Sequence, residues 1–279
     1  MNHVRSTLVV AAAVLTVAVV IGCLGCGDSS SAPPPAPPSG PTAAPAPGPV
    51  APAGGGAYDP AKATATIRVK AAFKGTAPKL PPIDFSKDEI CVGKHKGVQV
   101  FPETIVVKDG NLANVIAYVS KGAERWTYKP KTEPQVLDQK GCTYHPHVFT
   151  LQTNQPLSVK NSDETMHNIH AVPKVNKNAF NRSQLNEKAD VLSEKFDKEE
   201  IGLRIKCDVH GWMGAFAGVF SHPFHGVTGE DGTVTIKVPA GEYEVSAWHE
   251  YDKLAKPAAQ KVTVADGETK DLEFVFEAK

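Results

Sequence analysis

Short runs of alternating apolar and polar residues recur along the chain from residue 63 to residue 276. In Thr66-Ile67-Arg68-Val69-Lys70, for example, the apolar residues alternate with polar ones. This period is typical of a β-strand with one buried face. Gly, Pro, Asn and Asp separate the runs, as expected of turns. The pattern predicts strands over 63–73, 104–108, 113–119, 148–153, 157–160, 169–172, 201–206, 216–220, 233–238, 243–248, 261–264 and 270–276.

One stretch, 183–196, has weakly helical spacing, and we expect a short helix or a loop there. Many short strands joined by turns are typical of β-sandwiches. The predicted fold class is therefore all-β.

The N-terminal residues have a different composition. A short basic stretch precedes an apolar run over 8–21. This run is shorter than the roughly 20 residues that span a membrane, and it predicts the hydrophobic region of a signal peptide. Val20-Ile21-Gly22-Cys23 resembles the lipobox of bacterial lipoproteins, with lipidation at Cys23, or alternatively at Cys26. We therefore expect a lipoprotein signal peptide over 1–26, the alternatives being an ordinary signal peptide or an uncleaved anchor.

Residues 27–60 consist mostly of Pro, Ala, Gly and Ser. Such a segment buries too little apolar surface to offset the entropy lost on ordering. We expect a disordered tether that reaches on the order of 90 Å at about 3.1 Å per residue. A folded head is expected to begin at residue 61.

Charge and the absence of certain motifs exclude several functions. Lys and Arg total 30 and Asp and Glu total 30, giving a formal net charge of zero. No stripe of Arg or Lys interleaves with aromatic residues, so we expect no nucleic-acid partner. Nucleophile elbows, phosphate loops and paired catalytic carboxylates are also missing from the sequence. The chain is not expected to be an enzyme.

The most specific chemistry lies in the run Cys207-Asp208-Val209-His210-Gly211-Trp212-Met213. A thiolate, an imidazole and a thioether occur there on one short loop. Two His, one Cys and a long axial Met form the ligand set of blue-copper electron-transfer sites. The loop thus predicts a second histidine, and His167 follows one strand-like run and precedes another. Taken singly, each residue has an ordinary structural alternative, such as a buried Cys acting as a small hydrophobe.

Residues 148–220 resemble the cupredoxin family, in particular amicyanin and plastocyanin. The resemblance rests on Asn161-Ser162-Asp163, on the pair His167-Asn168 and on the short Cys/His/Met loop. It implies a Greek-key β-sandwich with one type 1 copper. The implied ligands are His167, Cys207, His210 and Met213, and Asn168 is expected to join the two ligand loops by hydrogen bonds.

The same resemblance implies a route for the electron. The imidazole of His210 is expected to reach the surface through an apolar patch. Trp212 and Phe216 are then expected to belong to the surface on which a redox partner docks.

Residues 226–276 resemble a carboxypeptidase regulatory-like, transthyretin-type β-sandwich. The resemblance rests on the turn Asp231-Gly232 and on Pro239-Ala240-Gly241-Glu242-Tyr243. The first strands of such a sandwich are missing just upstream, and 66–70 and 114–119 are candidates for them. The copper module is then an insertion in a split sandwich; two consecutive domains are the alternative.

The predicted domains are a β segment over 61–135, a cupredoxin-like copper module over 136–222 and a regulatory-like sandwich over 223–279. From residue 63 to the end, the chain resembles bacterial secreted proteins that join a plastocyanin-like module to such a sandwich. This resemblance rests on residues 137–148, 166–170, 206–210 and 227–232.

Cys91 and Cys142 are predicted to form a disulfide, because an exported protein folds in an oxidising compartment. The alternative is a second metal site with the ligand types of zinc. Its candidate ligands are Cys91, His95, Cys142, His145 and His147. The remaining histidines are expected to be surface or structural residues: His170, His222, His225 and His249.

The function predicted from these features is one-electron transfer in the periplasm or at the cell surface. The expected partner is a c-type cytochrome or another copper protein, and the lipid anchor is expected to bind the membrane. Copper trafficking or storage is the main alternative. A third is a structural surface module with incidental copper.

Overall fold

The structure is a computed structural model, and it describes residues 55–279 of the chain. The predicted signal peptide, Cys23, Cys26 and most of the tether lie outside the described residues. The strands are β1 Gly56–Ala57, β2 Ala65–Lys74, β3 Val107–Lys108, β4 Asn111–Leu112, β5 Ile116–Lys121, β6 Trp126–Thr127, β7 Gln135–Lys140, β8 Thr143–His145, β9 Val148–Gln152, β10 Leu157–Asn161, β11 His167–Val172, β12 Phe180–Gln184, β13 Leu192–Glu194, β14 Glu200–Lys206, β15 Gly214–Phe220, β16 His225–Val227, β17 Thr233–Val238, β18 Gly241–Trp248, β19 Leu254–Ala255, β20 Gln260–Val264 and β21 Thr269–Ala278.

One α-helix, α1 (Glu89–Lys94), and a 3₁₀ turn, Pro60–Lys62, complete the elements of the described range. The predicted all-β fold is confirmed. Within residues 55–279, no helix combines the length and the apolar content needed to cross a membrane.

The first and last parts of the described chain share two sheets. One has the strand order β16-β5-β18-β20, and the other has the order β19-β21-β2-β4-β3, with β17 also paired to β2. Strand β2 buries alternate residues, including Ile67 and Val69, and it pairs in parallel with β21 through Thr66 and Thr269. We call strands β2–β5 and β16–β21 the host sandwich. Its core contains Ile67, Val69, Val245 and Phe274.

Strands β7–β15 form two further sheets, which we call the insert sandwich. Their orders are β13-β10-β7-β8 and β12-β11-β14-β15-β9. Their inner faces enclose a second apolar cluster that includes Leu137, Leu151 and Ile205. The insert sandwich therefore lies in the sequence between β5 and β16, two neighbouring strands of one host sheet.

A segment before β3 packs on the insert sandwich rather than on the host core. Residues 83–100, which we call the cap, contain α1. Asp88 caps this helix, because its Oδ1 accepts hydrogen bonds from the backbone N–H groups of Ile90 (2.8 Å) and Cys91 (3.0 Å). Phe85 and Cys91 of the cap form a small buried cluster with Cys142, against which Trp212 packs.

Several predicted elements differ from those in the structure. The helical spacing at 183–196 is misleading, since the described strands there are the end of β12 and β13. Leu185 and Val191 are 68% and 59% exposed, so they form no buried helix face, while Gln184 is buried. No element was predicted around Cys91, but residues 89–94 form helix α1 after the N-cap Asp88. The strand predicted over 104–108 is reduced to Val107–Lys108.

The predicted end of the tether at residue 60 is also wrong. Gly56–Ala57 pair with Trp126–Thr127 through backbone hydrogen bonds, which require no apolar side chain. The next residue, Tyr58, packs its ring against Trp126, Tyr128 and Phe224. Ordered structure therefore begins before residue 60.

Candidate metal centre

Strand pairing brings the two predicted ligand segments together. Strand β11 begins at His167, and the antiparallel strand β14 ends at Lys206, directly before Cys207. His170 pairs with Lys206 in this ladder. The start of β11 therefore lies beside the loop that carries Cys207 and His210.

Three potential metal ligands converge on one buried point. A ring nitrogen of His167, the Cys207 sulfur and a ring nitrogen of His210 all lie within 4.8 Å of one another. The Nδ1 atoms of the two histidines are 2.9 Å apart, and Cys207 Sγ is 3.9 Å from His210 Nδ1. Exposure is 0% for His167 and 2% for both loop residues. Two imidazoles and a thiol with this spacing fit copper by ligand type.

Met213 is placed at the end of the same loop. Its N–H donates to the carbonyl of His210 (2.9 Å), and its carbonyl accepts from the N–H of Cys207 (3.2 Å). Its side chain is 2% exposed and belongs to the buried cluster of Cys207. Met166, by contrast, is 39% exposed. The loop therefore buries the thioether that was predicted as the axial ligand.

Asn168 connects the two ligand segments. Its Oδ1 accepts a hydrogen bond from the N–H of Asp208 (2.7 Å) and lies 3.2 Å from Cys207 Sγ. Asn181 Nδ2 and His170 Nδ1 also contact the Asp208 carboxylate, at 2.7 Å and 2.8 Å. These contacts fix the residues that follow His167 and Cys207 relative to each other.

The surroundings of Cys207 favour its ionised form. Burial alone raises the pKa of a thiol. Hydrogen bonds from His167 and from backbone N–H groups, including that of His210, outweigh burial and lower the pKa of Cys207. The thiolate is the form of cysteine that binds metals.

Two carboxylates that sequence analysis missed contact the far side of the two imidazoles. Asp163 Oδ2 lies 3.0 Å from His167 Nε2, and Asp88 Oδ2 lies 3.2 Å from His210 Nε2. Burial raises the pKa of each carboxyl group. Hydrogen bonds from Cys91 N–H to Asp88 and from His167 to Asp163 help to outweigh burial, so both pKa values are lowered.

The sequence indicated that Asp163 lies near His167. For Asp88 it indicated a helix start but not the contact with His210. Asp163 stands four residues before His167, in the run Asn161-Ser162-Asp163, on which the cupredoxin resemblance partly rests. Asp88 followed by Glu89 is a helix-start pattern, which could have predicted α1. Nothing in the sequence linked Asp88 to His210, which lies 122 residues away.

The expected surface position of His210 is wrong. The cap covers the imidazole, which is 2% exposed and has Cys91 Sγ 3.9 Å from its Nε2. Trp212 donates its Nε1–H to the carbonyl of Cys142 (2.9 Å), and its ring meets that of Phe85 edge-on. The apolar exit implied by the family resemblance is thus occupied by another part of the chain.

Phe216 does not lie on an open surface next to His210 either. It is half-buried in β15, where its ring contacts those of His147 and Trp248. Trp248 belongs to host strand β18. Phe216 therefore packs between the two sandwiches, away from its expected place in a docking surface.

The residues of the alternative second metal site have other partners. Cys91 and Cys142 form a disulfide. His95 Nε2 lies 2.7 Å from the carbonyl of Gly141, and His145 Nε2 lies 2.8 Å from Thr143 Oγ1. His147 pairs with Glu250 and with the carbonyl of Gly214. The structure therefore does not bring these five residues together as a ligand set.

The other histidines lie outside the candidate centre. His222 and His249 are buried in or near the host sandwich, at 5% and 7% exposure. The ring of His225 stacks on that of Phe220. His170 contacts Asp208, beside the ligand loop.

Comparisons with known proteins find only structural likeness. No family model and no protein with a curated description matches the chain. A copper-containing nitrite reductase from Thermus scotoductus is 16% identical with a TM-score of 0.29, over 37% of this chain and 25% of that chain. A purple cupredoxin from Nitrosopumilus maritimus is 20% identical, with a TM-score of 0.26, over 30% of this chain and 98% of that chain.

Amicyanin from Paracoccus versutus is 16% identical, with a TM-score of 0.28, over 37% of this chain and 96% of that chain. The chain spans only a quarter of the nitrite reductase.

Proposed function

We propose that the insert sandwich binds one copper ion through His167, Cys207, His210 and Met213 and carries single electrons. The observation that supports this proposal is the convergence of two imidazole nitrogens and one sulfur within 4.8 Å. Soft sulfur ligands favour Cu(I), and imidazole also suits Cu(II). When bound, copper supplies a reversible one-electron couple.

The protein's own residues prepare this site. Burial excludes water from His167, Cys207 and His210, and Asn168 holds the two ligand segments together. The lowered pKa of Cys207 favours the thiolate. The imidazole of His210 is only 2% exposed beneath the cap, which supports a closed site rather than one that binds a substrate.

The first test is the visible and EPR spectrum of the protein with one equivalent of Cu(II). We expect an intense thiolate-to-copper band in the wild type and its loss in Cys207→Ser. Met166→Leu serves as a control, since Met166 adjoins His167 in sequence but is 39% exposed. Met213→Leu is expected to change the spectrum while Met166→Leu leaves it unchanged. A full band in Cys207→Ser rules out the proposed ligand set.

Copper storage or trafficking is the second candidate, and the burial of His210 under the cap favours it. A covered ligand slows electron exchange with a partner but also protects bound copper. Stopped-flow mixing with a c-type cytochrome separates the two functions. Rapid, reversible oxidation supports a carrier, whereas negligible exchange together with copper transfer to a chelating acceptor supports storage.

The proposed location follows from the N-terminal sequence. We propose an exported lipoprotein anchored through Cys23, or alternatively Cys26, whose partner is a haem or copper protein at the same membrane. Mass spectrometry of the mature N-terminus tests this proposal. A free amino terminus well downstream of Cys26 argues for a protein without a lipid anchor.

A further inference from the structure

We propose that Asp163 and Asp88 are positioning residues that orient the two candidate copper imidazoles and favour Cu(II) over Cu(I). Each carboxylate contacts the ring nitrogen that faces away from the metal position. This inference rests on the proposed function, because it requires copper at His167 and His210.

Asp163 is held rigidly inside the insert sandwich. Its side chain is 1% exposed. Besides His167 Nε2, its carboxylate accepts the N–H groups of Gly141 (2.8 Å) and Cys142 (2.7 Å), and Lys94 Nζ lies 3.2 Å away. An acceptor at Nε2 places the proton there. The lone pair of Nδ1 is then free to face His210 and the metal position.

Asp88 plays the equivalent part for His210 from the cap. One carboxylate oxygen caps α1, and the other accepts the hydroxyl of Thr165 (2.8 Å) and contacts His210 Nε2 (3.2 Å). The disulfide of the adjacent Cys91 ties this helix to Cys142. The cap thus delivers a fixed carboxylate to the imidazole that it covers.

The negative charge of the two carboxylates determines which oxidation state of copper the site favours. A carboxylate on the remote N–H of a metal-bound histidine raises the basicity of the ligand. The site then holds two carboxylates and one thiolate. Among the Lys and Arg side chains of the described residues, that of Lys94 contacts Asp163, and none contacts Asp88. Negative charge stabilises the more highly charged ion, so it favours Cu(II) in the equilibrium Cu(II) + e⁻ ⇌ Cu(I).

The test compares Asp88→Asn and Asp163→Asn with wild type and with Glu164→Gln. Asparagine caps helices as well as aspartate does, so Asp88→Asn keeps α1 while removing the charge. Glu164 is next to Asp163 in sequence, but its side chain is 72% exposed and contacts Lys94 only at 3.9 Å. Glu164→Gln therefore controls for the loss of one nearby charge.

The measurements are the reduction potential, followed through the visible band, and the Cu(II) and Cu(I) affinities by chelator competition. Losing a partner of this kind typically costs 10- to 100-fold in metal affinity. If that loss falls on Cu(II), each Asp→Asn change raises the potential by roughly 60–120 mV, at 59 mV per tenfold. Glu164→Gln is expected to shift it far less, because exposed charges are screened.

Equal losses of Cu(II) and Cu(I) affinity leave the potential unchanged, and that result overturns the proposal in favour of a merely structural role. A shift no larger than that of Glu164→Gln overturns it as well. Should Asp163→Asn fail to fold, Asp88→Asn decides the question alone. A wild type without the copper–thiolate band means that the proposed function fails; a normal band with unshifted variants means that only this inference fails.

Discussion

The insert and host sandwiches are built from similar strands but hold different interiors. Of the fifteen buried polar or charged residues in the described part of the chain, eleven lie in the insert between Gln139 and His210. The host core, around Ile67 and Phe274, is almost wholly apolar. A buried polar group costs free energy unless it is paired. The host is therefore stabilised by apolar packing, whereas the insert uses part of its interior to hold the polar groups of the candidate metal centre.

The polar residues of the insert are organised around the candidate ligands. Gln184 pairs with His167 across the β11–β12 ladder and accepts a hydrogen bond from Gln139 (2.7 Å). Asn161 Nδ2 donates to the carbonyl of Thr165 (2.9 Å), and its Oδ1 accepts the N–H of Asp163. Paired groups of this kind fix geometry more than they add stability. Variants of the host are therefore expected to change mainly the free energy of unfolding, whereas variants of the insert are expected to change the candidate site as well.

The largest effect on stability is expected from Phe274→Ala in the host. Phe274 is 0% exposed, and truncation of a buried Phe typically lowers the free energy of unfolding by about 3–5 kcal/mol. Val275→Ala is the matched control, because Val275 is the next residue and is 44% exposed. Guanidinium unfolding measures both. The copper–thiolate band of the folded variant is expected to stay unchanged, and a changed band would argue against the division between the two sandwiches.

The double variant Cys91→Ala with Cys142→Ala is expected to affect both stability and the site. The disulfide joins residues 51 positions apart, and a loop of that length contributes about 4 kcal/mol in the chain-entropy model. Its loss also frees the cap above His210. We expect a lower guanidinium midpoint and faster removal of copper by a chelator. Unaltered copper removal would show that the cap stays in place without the disulfide.

The ligand set and the cap differ sharply in how well the sequence predicts them. His167, Cys207, His210 and Met213 stand in or beside short motifs whose spacing reflects one loop and one strand end. The cap precedes that loop by more than a hundred residues, and its contact with His210 arises only from tertiary packing. The predicted Cys91–Cys142 disulfide tied the cap to the insert, but it did not place Asp88 against His210.

The presence of the longer strands was likewise easier to predict than the length of each strand or the position of the helix. Alternation predicted β2 and β17 because both strands bury alternate residues, Ile67 and Val69 in β2 and Ile236 and Val238 in β17. The helical spacing at 183–196 failed because Leu185 and Val191 face solvent, so their period reflects no buried surface. Two-residue strands such as β1 depend on backbone pairing alone, and they leave no periodic signal.

His249 is expected to be one source of acid sensitivity in the host. This residue is 7% exposed, and its Nδ1 accepts the N–H of Tyr251 (3.1 Å). Burial, together with the nearby charge of His147, lowers the pKa of His249 to about 4. The unfolded chain binds the proton at a higher pH, so stability from this group is present above pH 6.5 and is lost as pH falls toward 4.

The expected loss between pH 7 and pH 4 is roughly 3 kcal/mol. Urea unfolding of wild type and His249→Asn over this pH range measures the contribution of His249 to the free energy of unfolding. Asparagine accepts a similar hydrogen bond but does not titrate. The difference between the two proteins is expected to shrink as pH falls. Parallel pH profiles would show that His249 does not titrate in this range.

The smallest effect is expected where the two sandwiches meet, in Gly202→Ala. Gly202 lies in insert strand β14 with φ +74, in the left-handed region that disfavours side chains, and a Cβ there would approach Trp248 Cζ2 of the host to 2.7 Å. Backbone strain and overpacking together are expected to lower the free energy of unfolding by about 2 kcal/mol.

Gly229→Ala is the control for Gly202→Ala, since Gly229 lacks a positive φ and its added Cβ meets nothing closer than 3.5 Å. Gly202 lies at the end of β14 remote from Cys207, beside the register shift between Ile201 and Leu203. We therefore expect a lower thermal midpoint for Gly202→Ala with an unchanged copper–thiolate band. A shifted band would mean that strain at the interface travels along β14 to the ligand loop, and the host would then influence the site as well as support it.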